Sequence, residues 1–148
     1  MPRVRDLMSV DVPLTTLNTP VSDAARLMRS TDRDSLIVFD LGRATGIVTE
    51  RDIIRKVTAE GRDPMRVHVG EIVSSPLITI HPDRSAREAA SLTLEKRIRH
   101  LPVVKDNRLL GIITIQDFAR HMSRKGVKDE MLESMGKDAD HALALAQG

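Results

Sequence analysis

The chain repeats itself, and this constrains its fold more than any single motif. Residues 35–57, SLIVFDLGRATGIVTERDIIRKV, align without a gap on residues 100–122, HLPVVKDNRLLGIITIQDFARHM, at an offset of 65. Eight of the 23 positions are identical: Leu36/Leu101, Val38/Val103, Arg43/Arg108, Gly46/Gly111, Ile47/Ile112, Thr49/Thr114, Asp52/Asp117 and Arg55/Arg120. The same offset pairs Val4 with Val69, Leu7 with Ile72, and Ala24-Ala25-Arg26-Leu27 with Ala89-Ala90-Ser91-Leu92. Between those anchors the apolar pattern places the first strand of the second copy two residues early, at Leu77 to Ile80 against Leu14 to Leu17.

Both copies then read alike. After the short first strand comes a helix, with start signals at Thr19-Pro20 (a capping hydroxyl before a first-turn proline) and at Ser85-Ala86-Arg87-Glu88, a capping box. Two strands follow, Leu36 to Phe39 with Gly46 to Thr49, and Leu101 to Val104 with Gly111 to Thr114. Their connecting turns are Asp40-Leu41-Gly42-Arg43 and Lys105-Asp106-Asn107-Arg108. A second helix closes each unit, over Glu50 to Val57 and Ile115 to Ser123. The reading is an α/β (α+β) chain of two β-α-β-β-α repeats at 4–58 and 69–123, with a linker at 59–68 and a partly helical or disordered tail at 124–148. One such unit buries too little apolar surface to be comfortable alone, so two are expected to pack face to face about a pseudo-two-fold axis.

Composition narrows the function. The chain is 41% hydrophobic and 30% charged with a net charge of +2, its basic residues interspersed with acidic ones. That describes a mixed surface and not a polyanion-binding stripe. Phe39 and Phe118 are the only aromatics, which leaves no base-stacking platform, so no nucleic-acid partner is expected. No apolar run could span a bilayer and the N-terminus lacks a secretory signal, so a cytoplasmic protein without membrane contact is the expectation. There is no cysteine for a disulfide or a thiolate nucleophile, and the five histidines show no ligand spacing. No Ser/His/Asp group or Walker-type loop is apparent, which disfavours an enzyme, a phosphate-ester hydrolase included.

The most specific element is Gly-h-h-Thr-x-x-Asp, with h apolar, at Gly46–Asp52 and Gly111–Asp117. It falls at a strand-to-helix junction in both copies. The glycine there lets backbone or ligand approach closely. A Thr hydroxyl can reach a phosphate or ribose oxygen, and an Asp one turn on can accept from two vicinal hydroxyls. Thr-x-x-Asp is equally a helix-capping box, and the two roles are compatible.

With its strand–helix–strand–strand–helix order, the run His100-Leu101-Pro102-Val103-Val104 and this motif, the sequence resembles tandem cystathionine-β-synthase-type (CBS) domains over residues 4–122. The resemblance implies a disc-shaped pair whose two clefts take AMP, ADP, ATP, S-adenosylmethionine or a similar adenosyl compound as a regulatory ligand, with no required cofactor. It implies ribose contacts at Asp52 and Asp117 and ribose or phosphate contacts at Thr49 and Thr114. It extends to Arg33, Ser35 and Leu36, to Arg99, His100 and Pro102, and at the adenine edge to Thr15 and Ile78. Ser35-Leu36-Ile37 replaces the pattern of His100-Leu101-Pro102, so equal use of the two clefts is not implied. A homodimer and a protein partner that reads the ligand state are further expectations. The alternative is a structural dimerisation module whose clefts are vestigial.

Overall fold

The computed structural model describes residues 1–125; beyond Lys125 the tail expected to be partly helical or disordered lies outside the described residues. The chain forms two compact units. One comprises Asp11–Ile78, the other Met1–Val10 together with the chain from Thr79 on. These units differ from the sequence repeats, because each repeat's first segment packs in the other repeat's unit.

In the Asp11–Ile78 unit, β1 (Leu14–Thr16) lies parallel to β2 (Ser35–Asp40), which is antiparallel to β3 (Arg43–Thr49). Helix α2 (Val21–Thr31) connects β1 to β2, and α3 (Glu50–Ile53) follows β3 directly, running on into a π-helical turn at Ile54–Thr58. Val21, Ala24 and Met28 recur at helical spacing and meet Leu36, Val38 and Val48 of the sheet in one buried cluster. The second repeat's leading segment completes that cluster with Val67, Val69 and Ile72. It also extends the sheet, since Ser74 and Ile47 exchange backbone bonds of 3.1 and 3.2 Å on the free edge of β3. Residues 64–68 of the expected linker are therefore packed structure: Pro64 and Val67 carbonyls accept from the first turn of α2 at 3.0 and 2.8 Å.

The other unit reproduces this at the same offset of 65. Helix α1 (Val4–Leu7) precedes α4 (Ala86–Lys96), the hairpin β4 (His100–Lys105) with β5 (Arg108–Thr114), and α5 (Ile115–Lys125). Ser9 and Ile112 exchange bonds of 2.9 Å each, as Ser74 and Ile47 do. Pro2 accepts from Ala86 at 2.9 Å and Val4 donates to Arg84 at 2.8 Å, matching Val67 with Val21 and Val69 with Thr19. Val4, Leu7, Leu101, Val103, Ile113 and Phe118 are buried.

Three local expectations are corrected. The strand read at Leu77 to Ile80 is a single parallel bridge, Ile80 to Val103, the counterpart of Thr15 to Val38. The offset thus holds without a gap, and Thr15 corresponds to Ile80, not Ile78. Proline explains the shortening. Ile37 donates to Pro13 at 3.2 Å, whereas Pro102, its counterpart, has no N–H to give. What remains is the pair of 3.0 Å bonds that Ile80 makes with Pro102 and Val104. Secondly, Pro20 is itself the N-cap of α2, and the Thr19 hydroxyl instead lies 3.0 Å from that of Thr16. Thirdly, the capping box at Ser85 is half made. Its hydroxyl accepts from the Glu88 N–H at 3.0 Å, while the Glu88 carboxylate accepts from Arg84 at 3.3 Å.

Both hairpins turn through two residues of positive φ: Leu41 (51°) with Gly42 (76°), and Asp106 (51°) with Asn107 (62°). This is the type I′ geometry that matches strand twist. Leu41 is 94% exposed, so it occupies a left-handed conformation that costs an L-residue energy and gains nothing from burial. Leu41→Asn is expected to stabilise the chain by about 1 kcal/mol, seen as a higher denaturant midpoint at unchanged m. An unchanged or lower midpoint contradicts this.

Candidate ligand-binding corners

Each Gly-h-h-Thr-x-x-Asp motif folds into the same corner, where β3 meets α3 and where β5 meets α5. The glycines are explained by chain packing. A Cβ on Gly111 would stand 2.5 Å from the Ser9 carbonyl oxygen, and one on Gly46 would stand 2.5 Å from Val73 Cγ2 and 2.8 Å from the Ser74 carbonyl oxygen. The close approach anticipated for backbone or ligand is thus made by backbone, that of the exchanged segment.

The Thr and Asp side chains form complete capping boxes. Thr49 Oγ1 accepts from the Asp52 N–H at 3.2 Å, while Asp52 Oδ2 accepts from the Thr49 N–H and hydroxyl at 3.0 and 3.1 Å. Thr114 Oγ1 accepts from the Asp117 N–H at 3.3 Å, and Asp117 Oδ2 accepts from the Thr114 N–H and hydroxyl at 2.8 and 3.0 Å. The cap fixes each carboxylate through Oδ2 and leaves Oδ1 to outside partners. At Asp52 that partner is Lys56, whose ammonium lies 3.1 Å from Oδ1 and also donates to the Ile72 carbonyl at 2.9 Å. At Asp117, Oδ1 receives the Arg120 guanidinium and, at 3.4 Å, the Ser9 hydroxyl. The Asp117 side chain is 3% exposed and that of Asp52 14%.

The other residues singled out in the sequence gather unevenly. Ser35 pairs across the sheet with Thr49, and His100 with Thr114, so each stands beside its corner at the opposing strand end. Arg33, half-buried just before β2, donates to the Asp11 carbonyl at 2.6 Å. The Leu36 side chain belongs to the apolar core, which leaves its main chain as the part able to meet a ligand. Thr15 and Pro102 are buried within their sheets, Arg99 is half-buried before β4, and Ile78 lies half-buried in irregular chain before Ile80. No site role for Lys56, Arg120, Ser9 or Ile80 is read from the sequence. The Ser9/Ser74 identity at the repeat offset was the signal available for Ser9. A separate groove of about 610 Å3 runs beside α4, with His81, Arg84, Arg87 and Glu95 among its lining residues, and takes in neither corner. Among the described residues no group of three His, Asp or Glu is placed to hold a metal ion, and no helix is long and apolar enough to cross a membrane.

Two copies of one unit, β-α-β-β-α in the first and with its leading strand reduced to the Ile80 bridge in the second, each with an exchanged leading segment and a capped Thr–Asp corner, define a tandem-repeat α/β module. Residues 4–59 and 69–124 each match the CBS domain family model. The CBS domain-containing protein YhcV of Bacillus subtilis is 34% identical over 119 residues, covering 80% of this chain and 84% of the relative. A conserved protein of Pyrococcus horikoshii has a solved structure that superposes with a TM-score of 0.78 at 30% identity, covering 84% and 93% of the two chains. The hexameric CBS-CP12 protein from bloom-forming cyanobacteria superposes with a TM-score of 0.75 at 26% identity over 99% of each chain. The chain belongs to the CBS-domain family and carries two of its domains.

Proposed function

We propose that this chain is a non-enzymatic regulatory module that binds an adenosyl ligand, an adenine nucleotide or S-adenosylmethionine, at its Thr–Asp corners and reports occupancy to a partner. The observation that carries this is the twice-built corner. In both units a carboxylate is locked through Oδ2 by its own helix cap, which holds Oδ1, paired with Lys56 at Asp52 and with Arg120 and Ser9 at Asp117, in a fixed place beside the opposing strand end. A carboxylate oxygen so held is a preorganised acceptor for a ribose hydroxyl. Likeness to a hexameric CBS protein supports self-association, with a homodimer as its simplest form.

The second reading, a structural self-association module, draws on the fact that both corners already serve as complete helix caps. Thermal unfolding separates the two. A ligand that binds only the folded state stabilises it by about 2.7 kcal/mol at 100 times its Kd, a shift of several degrees in Tm. The expected result is a concentration-dependent rise with at least one of AMP, ADP, ATP, NADH and S-adenosylmethionine at up to millimolar levels. No rise with any of them favours the structural reading. A colorimetric phosphatase assay is expected to show no turnover.

A further inference from the structure

We infer that the two corners have diverged: the Asp52 corner takes the ligand, which is phosphorylated, while Asp117 serves as a staple tying the N-terminal segment to α5. This rests on the adenosyl-ligand reading above. An ionised carboxylate offers about four acceptor positions. Among the described residues Asp117 fills four, with the Thr114 N–H, the Thr114 hydroxyl, Arg120 and the Ser9 hydroxyl. Its side chain is almost wholly buried. A ribose diol could enter there only by displacing the Arg120 guanidinium and turning away the Ser9 hydroxyl, under a segment whose backbone stays fixed by reciprocal 2.9 Å bonds between Ser9 and Ile112.

Asp52 fills three positions, with the Thr49 N–H, the Thr49 hydroxyl and Lys56. One acceptor position is left, on a side chain that solvent reaches. The second hydroxyl of a diol then needs only the Lys56 ammonium to swing away. Lys56 (45% exposed) and Arg120 (60% exposed) both have room to move, so the corners differ in the carboxylate itself, 14% exposed at Asp52 against 3% at Asp117, and in the added Ser9 hydroxyl.

The lysine also sets the ligand's chemistry. When a diol takes Oδ1, the Lys56 ammonium loses its anion. A ligand phosphate within reach restores a charge-assisted contact, which a nucleoside cannot do. Arg51 and Arg55, exposed and without an ion pair among the described residues, add positive potential. The second repeat has Gln116, Arg120 and His121 at the positions of Arg51, Arg55 and Lys56, and its arginine is already committed to Asp117. The favoured class is a phosphorylated adenosine; the sulfonium cation of S-adenosylmethionine is disfavoured.

Isothermal titration of the full chain with AMP and with adenosine tests this on wild type, Asp52→Asn and Lys56→Gln. Wild type is expected to bind one AMP per chain, Asp52→Asn to lose at least tenfold in affinity, and Lys56→Gln to lower the AMP-to-adenosine preference about tenfold. Asn and Gln keep cap geometry and surface polarity, and unaltered circular dichroism and Tm above the assay temperature verify folding. Two equivalents per chain, or binding insensitive to Asp52→Asn, overturns the divergence while leaving the adenosyl reading intact. An unchanged AMP-to-adenosine preference in Lys56→Gln overturns the role of the lysine. No binding of AMP, adenosine or the wider adenosyl panel overturns both the inference and the reading beneath it.

Discussion

Deleting residues 1–10 is expected to unfold the unit built on the second repeat and to spare the unit built on the first. By sequence the segment belongs to the first repeat, but it packs with the chain from Thr79 on. Val4 is fully buried and Leu7 nearly so. Losing both removes about 1.5–3 kcal/mol apiece. The segment also supplies the Pro2 acceptor for Ala86, the Val4 donor to Arg84 and both Ser9–Ile112 bonds, at about 1 kcal/mol each. Together these rival the entire stability of a small domain. Hydrogen exchange should therefore show protection lost at Ala86, Val104 and Ile112 and retained at Val21, Ile47 and Ser74. Loss in the Asp11–Ile78 unit instead would mean that the sequence repeats, and not the exchanged units, are what fold.

Gly111→Ala is expected to be the most damaging single-atom addition at the corners, at about 2–4 kcal/mol. The obstacle is a backbone oxygen, Ser9 O at 2.5 Å, with Met8 Sδ at 3.1 Å behind it. Relief requires the segment to move off β5, which stretches the two bonds between Ser9 and Ile112. Gly46→Ala meets Val73 Cγ2 as well as the Ser74 carbonyl, and the side chain can rotate, so a smaller cost is expected. Gly42→Ala provides the contrast: the space around it is open and only its φ of +76° resists, a cost of about 1 kcal/mol. Chemical denaturation of the three variants gives the order directly. If Gly111→Ala proves no worse than Gly42→Ala, the exchanged segment is not seated as described.

Much of this was legible in the chain. An ungapped repeat locates both hairpins, because strand alternation and turn residues are local signals. The Thr-x-x-Asp caps were readable for the same reason, as both partners lie within one helical turn. What stayed hidden depended on partners far apart in sequence. Residues 1–10 carry nothing that says which sheet edge they join, since Ile47 and Ile112 offer the same backbone groups. The saturation of Asp117 needs Ser9, 108 residues away. The first strand of the second copy was misplaced because Leu77, Ile78 and Ile80 form an attractive apolar run, whereas the deciding residue is Pro102 on the neighbouring strand. Thr19 was a plausible cap in sequence, one residue too early in space.

If the Asp52 corner reads a phosphorylated adenosyl ligand while the Asp117 corner holds the fold together, only the first should respond to AMP. At 16.4 kDa the chain suits residue-resolved nuclear magnetic resonance, and a titration with AMP reads both corners at once. Saturable shifts of the Thr49, Asp52 and Lys56 amides are expected, with Thr114, Asp117 and Arg120 remaining in place. Matching shifts at both corners, or none at either up to millimolar AMP, would contradict this.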